Sequence, residues 1–307
     1  MKLALFNDWR LGVVTGEEIA DITALVPQWS PSWPYAWMLT FIANFDAMRK
    51  DIERFVPSAP RYLLEAVELK PPIPQPSKVI AAPVNYPLHQ AEMGGVQGVY
   101  HGASIKTIEH YGLFLKPPSS IVGPNSMITL PFKGRRTDHE AEVAVVIGKT
   151  VKNVVESEAE QAIFGMTGLL DLSVRGQEDR PFRKGFDGFC PLGPVIVTRD
   201  EVKDWDNIEF RLTVNGTVRQ QGNTGRMIYP IRRLVALASY QTTLYPGDVI
   251  ATGTPEGVGE ILPGDVLTLE VDGVGRLTVS VSRQYAEPPE GMGSWFDPFL
   301  VARGAPV

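Results

Sequence analysis

Two glutamates, Glu140 and Glu142, stand one residue apart in a run that is typical of a β-strand from residue 137 to residue 148. Side chains alternate faces along a strand, so residues two apart share one face and these carboxylates point the same way. A second apolar run, residues 162–170, ends on Asp171. A third acid is therefore expected at the end of another strand.

The two glutamates need some form of charge compensation. Two like charges a few ångströms apart in a partly buried site repel by about 4 kcal/mol at an effective dielectric constant of about 20. Protonation, an Arg or Lys partner, or a hard divalent cation would each offset this repulsion. The third acid favours the cation, because oxygen-rich sites suit Mg²⁺, Mn²⁺ or Ca²⁺. A structural Ca²⁺ or Mg²⁺ site in a non-catalytic binding protein is the alternative.

His89 and Glu92 lie three residues apart, soon after an apolar strand pattern at residues 79–84. On a helix this spacing puts both side chains on one face, where they can hydrogen-bond. A carboxylate beside an imidazole orients the ring and raises its basicity, which produces a general base near neutral pH. An exposed helical pair is the alternative, but the position after a strand end favours catalysis.

Three cationic residues accompany the acids. Lys116 stands in a proline-stiffened turn, where a solvated lysine is the alternative. Arg175 follows Asp171 closely and could clamp a substrate carboxylate or pair with the acids. Lys184 could stabilise negative charge that develops in a transition state.

A loop rich in glycine and threonine, residues 252–259, follows an apolar strand pattern and contains Gly253 and Thr254. Its hydroxyls and free backbone N–H groups can hold a carboxylate. It lacks the Gly-Lys-Ser/Thr ending of a phosphate-binding loop, so nucleotide binding is not predicted. Cys190, the only cysteine, is interpreted as a buried apolar side chain rather than a nucleophile.

The composition excludes several classes of protein. The 307 residues carry a net charge of −6 without a basic stripe, so no nucleic-acid partner is expected. A single cysteine permits no intramolecular disulfide, which fits a reducing cytoplasm. No apolar stretch approaches the roughly 18 residues of a membrane span, and the N-terminus lacks the apolar core of a signal peptide, so no membrane association is expected.

The proline-rich stretch 70–76 breaks regular structure, because proline lacks an N–H donor and fixes φ. It predicts a boundary between a small N-terminal α/β domain, residues 1–75, and a metal-dependent catalytic domain, residues 76–307. An ordinary loop within one domain is the alternative. Within the N-terminal part, short strand patterns precede helical patterns at 36–45 and 61–68.

The remainder of the chain repeats strand patterns that are separated by turns. Val-Asn-Gly at 214–216 predicts a hairpin turn, and Pro-Gly-Asp at 246–248 and 263–265 precedes apolar strands. Helical patterns interrupt them at 157–164 and 231–242. The sequence therefore predicts a mostly β fold with some α, of the α+β class.

Six blocks, taken in order, resemble the fumarylacetoacetate hydrolase family, in its branch of acylpyruvate hydrolases and 2-hydroxyhepta-2,4-diene-1,7-dioate isomerases. The blocks are Asn-Tyr-x-x-His-x-x-Glu from residue 85, Phe-x-Lys-Pro from 114, Glu-x-Glu from 140, Asp before Ser-x-Arg from 171, Lys-x-Phe-Asp with Pro-Leu-Gly-Pro from 184, and Thr-Gly-Thr-Pro-x-Gly-Val from 252. The resemblance implies a fumarylacetoacetate-hydrolase-like β-roll of mixed sheets that forms a homodimer.

The resemblance also implies roles for individual residues. The two glutamates and Asp171 would ligate Mg²⁺ or Mn²⁺, with Ca²⁺ as a substitute in vitro. His89 and Glu92 would form the catalytic dyad on a lid, and Lys184 would be a third catalytic residue. The expected substrate contacts are Tyr86, Lys116, Arg175, Gln177, Gly253 and Thr254.

Some positions depart from the family pattern, among them Ala82-Pro83, which replaces the usual Gly-Leu-type lead into Asn85-Tyr86. His139 stands where an aromatic residue such as tyrosine is usual, Leu170 where Asn is frequent, and Gly176 where Asp is frequent. The segment between Glu92 and Phe114 is expected to be a mobile lid that sets specificity.

The expected substrate is a small 2-oxo acid. Its carboxylate and 2-oxo oxygens would chelate the cation, which stabilises an enolate at C3. With His89 and Glu92 activating a water that attacks C4, the predicted reaction is hydrolysis of the C3–C4 bond of a 2,4-dioxo acid, of acylpyruvate or fumarylpyruvate type. Isomerisation, decarboxylation and dehydration of a 2-keto-3-deoxy sugar acid are alternatives at the same site.

Overall fold

The computed structural model describes residues 1–94 and 105–287. The α-helices of this part of the chain are α1 (Trp37–Phe55), α2 (Pro87–Gly94), α3 (Ile108–Tyr111), α4 (Arg180–Lys184) and α5 (Ile231–Gln241). Short 3-10 helices lie at Thr23–Leu25, Val56–Ser58, Leu64–Ala66, Pro118–Ser120, Glu156–Ala162, Arg199–Glu201 and Thr224–Arg226.

Strands are more numerous than helices in these ranges. The first ten are β1 (Lys2–Phe6), β2 (Arg10–Thr15), β3 (Glu18–Asp21), β4 (Arg61–Leu63), β5 (Leu69–Lys70), β6 (Val79–Ala81), β7 (Phe114–Lys116), β8 (Ile121–Val122), β9 (Met127–Ile128) and β10 (Thr137–His139). The others are β11 (Ala141–Ile147), β12 (Ile163–Leu170), β13 (Ser173–Val174), β14 (Cys190–Thr198), β15 (Glu209–Val214), β16 (Thr217–Asn223), β17 (Val249–Ala251), β18 (Gly259–Glu260), β19 (Val266–Val271) and β20 (Gly275–Val281).

The largest sheet has twelve strands in the described residues and runs β4-β3-β2-β1-β14-β12-β11-β17-β6-β7, with β5 paired to β1 and β8 to β14. Most pairs are antiparallel, whereas β6 pairs with β17 in parallel. A five-stranded sheet follows the order β16-β15-β19-β20-β9, and a three-stranded sheet the order β13-β10-β18. The predicted mixed-sheet, mostly β fold with some α is therefore confirmed.

The centre of the large sheet is covered on both faces. Along β11, Val143 and Val145 belong to one apolar cluster, whereas Ala144 and Val146 belong to a second one. The first cluster includes the inward residues of the five-stranded sheet, and the second includes those of α1. Burial on both faces explains why this strand is apolar at nearly every position instead of alternating.

Two local predictions can be judged directly. The hairpin predicted at Val-Asn-Gly is confirmed, since β15 and β16 are joined through Asn215 and Gly216, which both have positive φ. The helix predicted at 61–68 is wrong: Arg61–Leu63 forms β4, which pairs with β3. Pairing with an existing sheet edge overrides a weak helical pattern, because helix propensity is only a small local preference.

Residues on either side of the proline-rich stretch share one sheet. Strand β1 pairs with β14 in the register Leu3↔Ile196, and Lys70 pairs with Leu5. The predicted boundary at residue 75 thus lies within one continuous sheet. Whether the two parts are separate domains stays a prediction. The described helices include none that combines the length and apolarity needed to cross a membrane.

Candidate functional site

The three acids converge where the large sheet meets the three-stranded sheet. The strand predicted for residues 137–148 is interrupted at Glu140, which separates β10 from β11, and Glu142 lies within β11. The next strand, β12, ends just before Asp171, whose N–H donates to the Glu140 carbonyl at 2.8 Å. Carboxylate oxygens of all three acids lie within 4.8 Å of one another.

Buried cationic side chains surround two of these acids. Lys184 donates to Glu140 Oε2 at 2.7 Å and to Asp171 Oδ2 at 2.6 Å. Lys116 donates to the other Asp171 oxygen at 2.6 Å. Arg175 donates to Glu140 Oε1 at 2.7 Å. Glu140 and Asp171 thus each have direct cationic partners.

Glu142 has a different environment. Its Oε2 accepts the Gly253 N–H at 2.8 Å, and no ion pair to it is found among the described residues. Burial, followed by repulsion from Asp171, raises the pKa of Glu142 well above its usual range. Burial also opposes charge on Glu140, but Lys184 and Arg175 outweigh it and hold that carboxyl's pKa below its usual range. The cluster therefore lacks a positive charge on the Glu142 side.

The donor set fits a divalent cation. All three side chains offer carboxylate oxygens and are almost completely buried. Two oxygens on opposite sides of an ion with bonds of about 2.4 Å are separated by about 4.8 Å, so ligand atoms that all lie within 4.8 Å of one another can share one ion. A hard cation such as Mg²⁺, Mn²⁺ or Ca²⁺ would also supply the charge that Glu142 lacks.

The predicted His89–Glu92 pair lies on α2. Glu92 Oε2 is 3.2 Å from His89 Nδ1, and its Oε1 accepts the Gly257 N–H at 2.9 Å. His89 is 4% exposed and lines the same cavity as the acids. Glu92 thus fixes the ring through one nitrogen and leaves Nε2 for a group in the cavity.

Asn85, which precedes α2, was not singled out as a site residue in the sequence. Its side-chain nitrogen donates to the Tyr229 and Thr252 carbonyls, at 3.0 and 2.8 Å, and its oxygen accepts the Tyr229 N–H at 2.8 Å. This completely buried amide ties the start of α2 to the 252–259 loop. Its position before Tyr86 in the first sequence block was the available signal.

The 252–259 loop contacts both halves of the site. Its Gly253 N–H binds Glu142, and its Gly257 N–H binds Glu92. Both glycines have positive φ, and a Cβ on Gly257 would lie 2.1 Å from the Arg219 carbonyl oxygen. Only glycine fits such a position without displacing its neighbours.

A cavity of about 580 Å³ joins these parts, a size typical of small-molecule sites. Besides the three acids and His89, it is lined by Arg175, Gln177, Lys184 and Thr254. The other predicted substrate contacts and Glu92 are not among the lining residues. Lys116 is buried behind Asp171, Gly253 faces Glu142, and Tyr86 is buried with a hydroxyl that has no partner among the described residues.

Gln220 is a further residue that the sequence did not indicate. It lies on β16, 1% exposed, and hydrogen-bonds to His139, Ala141, Thr254 and Pro255. Burial lowers the pKa of His139, which favours the neutral form of the ring. No local motif marks Gln220, because its partners are far from it in sequence.

A buried cluster of carboxylate oxygens beside a histidine–carboxylate pair, on a mixed β fold, is an arrangement that suits a metal-dependent enzyme. The family described as fumarylacetoacetate (FAA) hydrolase C-terminal matches residues 78–282. The chain belongs to the fumarylacetoacetate hydrolase family, which confirms the resemblance seen in the sequence.

Named relatives cover nearly the whole chain. A maleylpyruvate hydrolase from Aquipseudomonas alcaligenes is 42% identical over 284 residues, which are 92% of this chain and 99% of that protein. The crystal structure of a maleylpyruvate hydrolase from Sphingobium sp. SYK-6, in complex with manganese(II) and pyruvate, is 43% identical with a TM-score of 0.81 and covers 92% of this chain and 99% of that one. A 2-hydroxyhepta-2,4-diene-1,7-dioate isomerase from Mycobacterium marinum is 30% identical with a TM-score of 0.70 and covers 92% and 99%.

These likenesses confirm the predicted hydrolase class and the predicted divalent-metal cofactor. A relative of similar length is solved with manganese, and the three acids of this chain form a cluster that fits such an ion.

Proposed function

We propose that this enzyme hydrolyses the C3–C4 bond of a 2,4-dioxo acid of the acylpyruvate type. The observation that carries the proposal is that the His89–Glu92 pair and the three-acid cluster line or adjoin one cavity. The maleylpyruvate hydrolases at 42% and 43% identity support the same reaction type.

Glu140, Glu142 and Asp171 are the proposed ligands of a divalent cation, Mn²⁺ or Mg²⁺. When bound, the ion supplies Lewis acidity toward the carboxylate and 2-oxo oxygens of the substrate. Lys184 lies against Glu140 and Asp171 at this wall of the cavity, with a pKa that those two acids raise although burial opposes its charge. It is therefore positioned as a cation to offset negative charge that develops on the 2-oxo oxygen.

His89 is the proposed general base. It takes a proton from a water, and the resulting hydroxide attacks the C4 carbonyl. The C3–C4 bond then breaks, its electron pair stays with the pyruvate fragment, and C3 takes up a proton as the C4 fragment leaves as a carboxylic acid. Glu92 stabilises the imidazolium that forms, since it is 3.2 Å from His89 Nδ1.

Arg180 in the lining of the cavity favours an anionic tail on the substrate. Its guanidinium stacks over the Tyr111 ring, 4.3 Å from the ring centroid. Among the described residues no carboxylate is ion-paired with Arg180, so its guanidinium can bind an anion in the cavity. The proposed substrates are therefore acylpyruvates with a second carboxylate.

The test is turnover of an acylpyruvate, measured as loss of enol absorbance and release of pyruvate. We expect decay with Mn²⁺ or Mg²⁺ and none with EDTA. His89→Gln should lower kcat at least about 100-fold, as general bases typically contribute that much or more. The control is His110→Gln, since His110 is exposed and lies outside the lining of the cavity. Full activity of His89→Gln would contradict the assigned base.

Isomerisation is the second candidate, because a solved relative with the isomerase name has the same fold at 30% identity. An isomerase would need the metal site but no attacking water. Loss of enol absorbance without release of pyruvate and free acid would favour this candidate. The same preparations would show by light scattering whether the protein is the homodimer that the resemblance implies.

A further inference from the structure

Gln220 reaches from the five-stranded sheet to two walls of the site. Its Oε1 lies 3.0 Å from the Ala141 backbone nitrogen and 2.9 Å from His139 Nδ1. Its Nε2 lies 2.8 Å from Thr254 Oγ1 and 2.9 Å from the Pro255 carbonyl oxygen. All hydrogen-bonding directions of this buried amide are thus occupied by protein groups.

The orientation of the Gln220 amide follows from two partners that have a single polarity. The Ala141 N–H only donates, so it requires the amide oxygen. The Pro255 carbonyl only accepts, so it requires the amide nitrogen. A flipped amide would place donor against donor and acceptor against acceptor, and burying such mismatches is costly.

This orientation determines what Thr254 offers to the cavity. Thr254 Oγ1 accepts a hydrogen bond from Gln220 Nε2, so the hydroxyl hydrogen must point away from Gln220. Thr254 lines the cavity that the three acids line. A carboxylate is an acceptor only, and it is therefore matched by a hydroxyl whose hydrogen faces the cavity.

We propose that Gln220 is a positioning residue that presents the Thr254 hydroxyl as a donor to the carboxylate of the 2-oxo acid. The inference rests on the proposed function, because it uses the same substrate end. The Gln220 amide oxygen also accepts the N–H of Ala141, which lies between the two glutamates. The same oxygen requires that His139 carry its proton on Nδ1. One side chain thereby couples the backbone of the acid cluster to the substrate-binding hydroxyl.

The test is calorimetric binding of pyruvate to the Mn²⁺-loaded protein. Thr254→Val should weaken binding about tenfold, the loss of a hydrogen bond to a charged group, whereas Thr254→Ser should keep it. Gln220→Glu keeps the acceptor for Ala141 but removes the donor, so the Thr254 hydroxyl turns toward the new carboxylate. We expect a similar tenfold loss, and no further loss when it is combined with Thr254→Val.

The matched control is Gln221→Glu, the same change at the exposed neighbour on β16. Unchanged affinity in Gln220→Glu, or losses that add in the double variant, would overturn the inference. If the wild-type protein with Mn²⁺ binds no pyruvate, the proposed function itself fails.

A second measurement needs no variant of Gln220. Nitrogen-15 spectra of the histidines, with His139 assigned through His139→Gln, should show the proton of the wild-type ring on Nδ1. A proton on Nε2 alone would require the Gln220 amide to face the other way, and it would overturn the inference even if Gln220→Glu does not fold.

Discussion

At the scale of single residues, Glu142 is the acid whose charge is least compensated. Its pKa is raised, first by burial and then by Asp171. A raised carboxyl pKa in the folded state means that stability is fully present below the unfolded pKa and is lost as the pH rises through the folded pKa. The metal-free protein should therefore lose stability as the pH rises from about 4.5, and a bound cation should restore it.

We predict that Glu142→Gln raises the melting temperature of the metal-free protein at neutral pH. Each kcal/mol of removed repulsion should raise the melting temperature by about 2–4 °C for a protein of this size. The same variant should lose the stabilisation by Mn²⁺ that the wild type shows. Thermal unfolding with EDTA and with Mn²⁺ measures both effects. Glu260→Gln, at an exposed glutamate, is the control, and an equal response to Mn²⁺ in both variants would contradict the assignment.

Arg180 gives a residue-scale prediction about the substrate. Arg180→Met should reduce kcat/KM for an acylpyruvate with a tail carboxylate about tenfold or more, because a hydrogen bond to a charged group is lost. Turnover of acetylpyruvate, which has no such tail, should stay within about twofold. An equal change for both substrates would show that Arg180 acts on the fold rather than on the tail.

Cys190 is the first residue of β14 in the large sheet and is completely buried, as the sequence analysis expected. Burial raises the pKa of its thiol to about 12. We predict no reaction with an aromatic disulfide reagent at pH 8 in the folded protein, and one thiol per chain after denaturation in guanidinium. Rapid labelling of the folded protein would contradict this burial.

The acid cluster and the His89–Glu92 pair could be predicted from the sequence as groups of neighbouring side chains, whereas the neutral residues that hydrogen-bond around them could not. Glu140, Glu142 and Asp171 carry charge at apolar strand ends, which is visible in the sequence. Gln220 and Asn85 act through neutral amides whose partners come from distant segments of the chain. Polar side chains of this kind look the same in sequence whether they face solvent or a buried network.

At the scale of elements, the 252–259 loop links the three-acid cluster to the His89–Glu92 pair. Its Gly253 and Gly257 amides bind one carboxylate in each. Strand patterns predicted such a loop because an apolar strand precedes it, but they gave no sign of which N–H groups point inward. That depends on positive φ values, which sequence shows only as the presence of glycine.

Replacing Gly257 should separate catalysis from metal binding. Gly257→Ala moves the N–H that orients Glu92, so kcat should fall about 10- to 100-fold while Mn²⁺ affinity is kept. The matched control is Gly216→Ala, which has a similar positive φ in a hairpin turn with open space around it. Both variants should lose some stability, but only the first should lose activity. Equal kcat in the two would contradict the role of the loop.

At the scale of the whole molecule, the N-terminal strands and α1 complete the large sheet and cover one of its faces. The sequence predicted strands and two helices there, of which only the first is correct, and it placed a boundary at the prolines. It contained no information about pairing between β1 and β14, which joins segments almost 200 residues apart. Long-range pairing depends on the assembled sheet and not on local pattern.

We predict that a chain lacking residues 1–75 will not unfold cooperatively. Removal of residues 1–75 would expose the edge of β14 and an apolar face of the large sheet that includes Val146 and Ile196. Circular dichroism melts and size-exclusion chromatography, with the full chain as reference, measure the loss. A sharp transition at the temperature of the full chain would instead show that residues 76–307 form an independent domain.

Glu140 occupies the joint between β10 of the small sheet and β11 of the large one. An ion shared by Glu140, Glu142 and Asp171 would link the two sheets further, in addition to the contacts of Lys184 and Arg175 that already join them. Local opening of the junction between these two sheets should be measurable as deuterium uptake at the Asp171 amide, which donates a hydrogen bond to the Glu140 carbonyl. The fraction of protein with a bound ion should then determine how often the junction between β10 and β11 opens. The same three acids would thus control both metal binding and the access of solvent to the Asp171 amide.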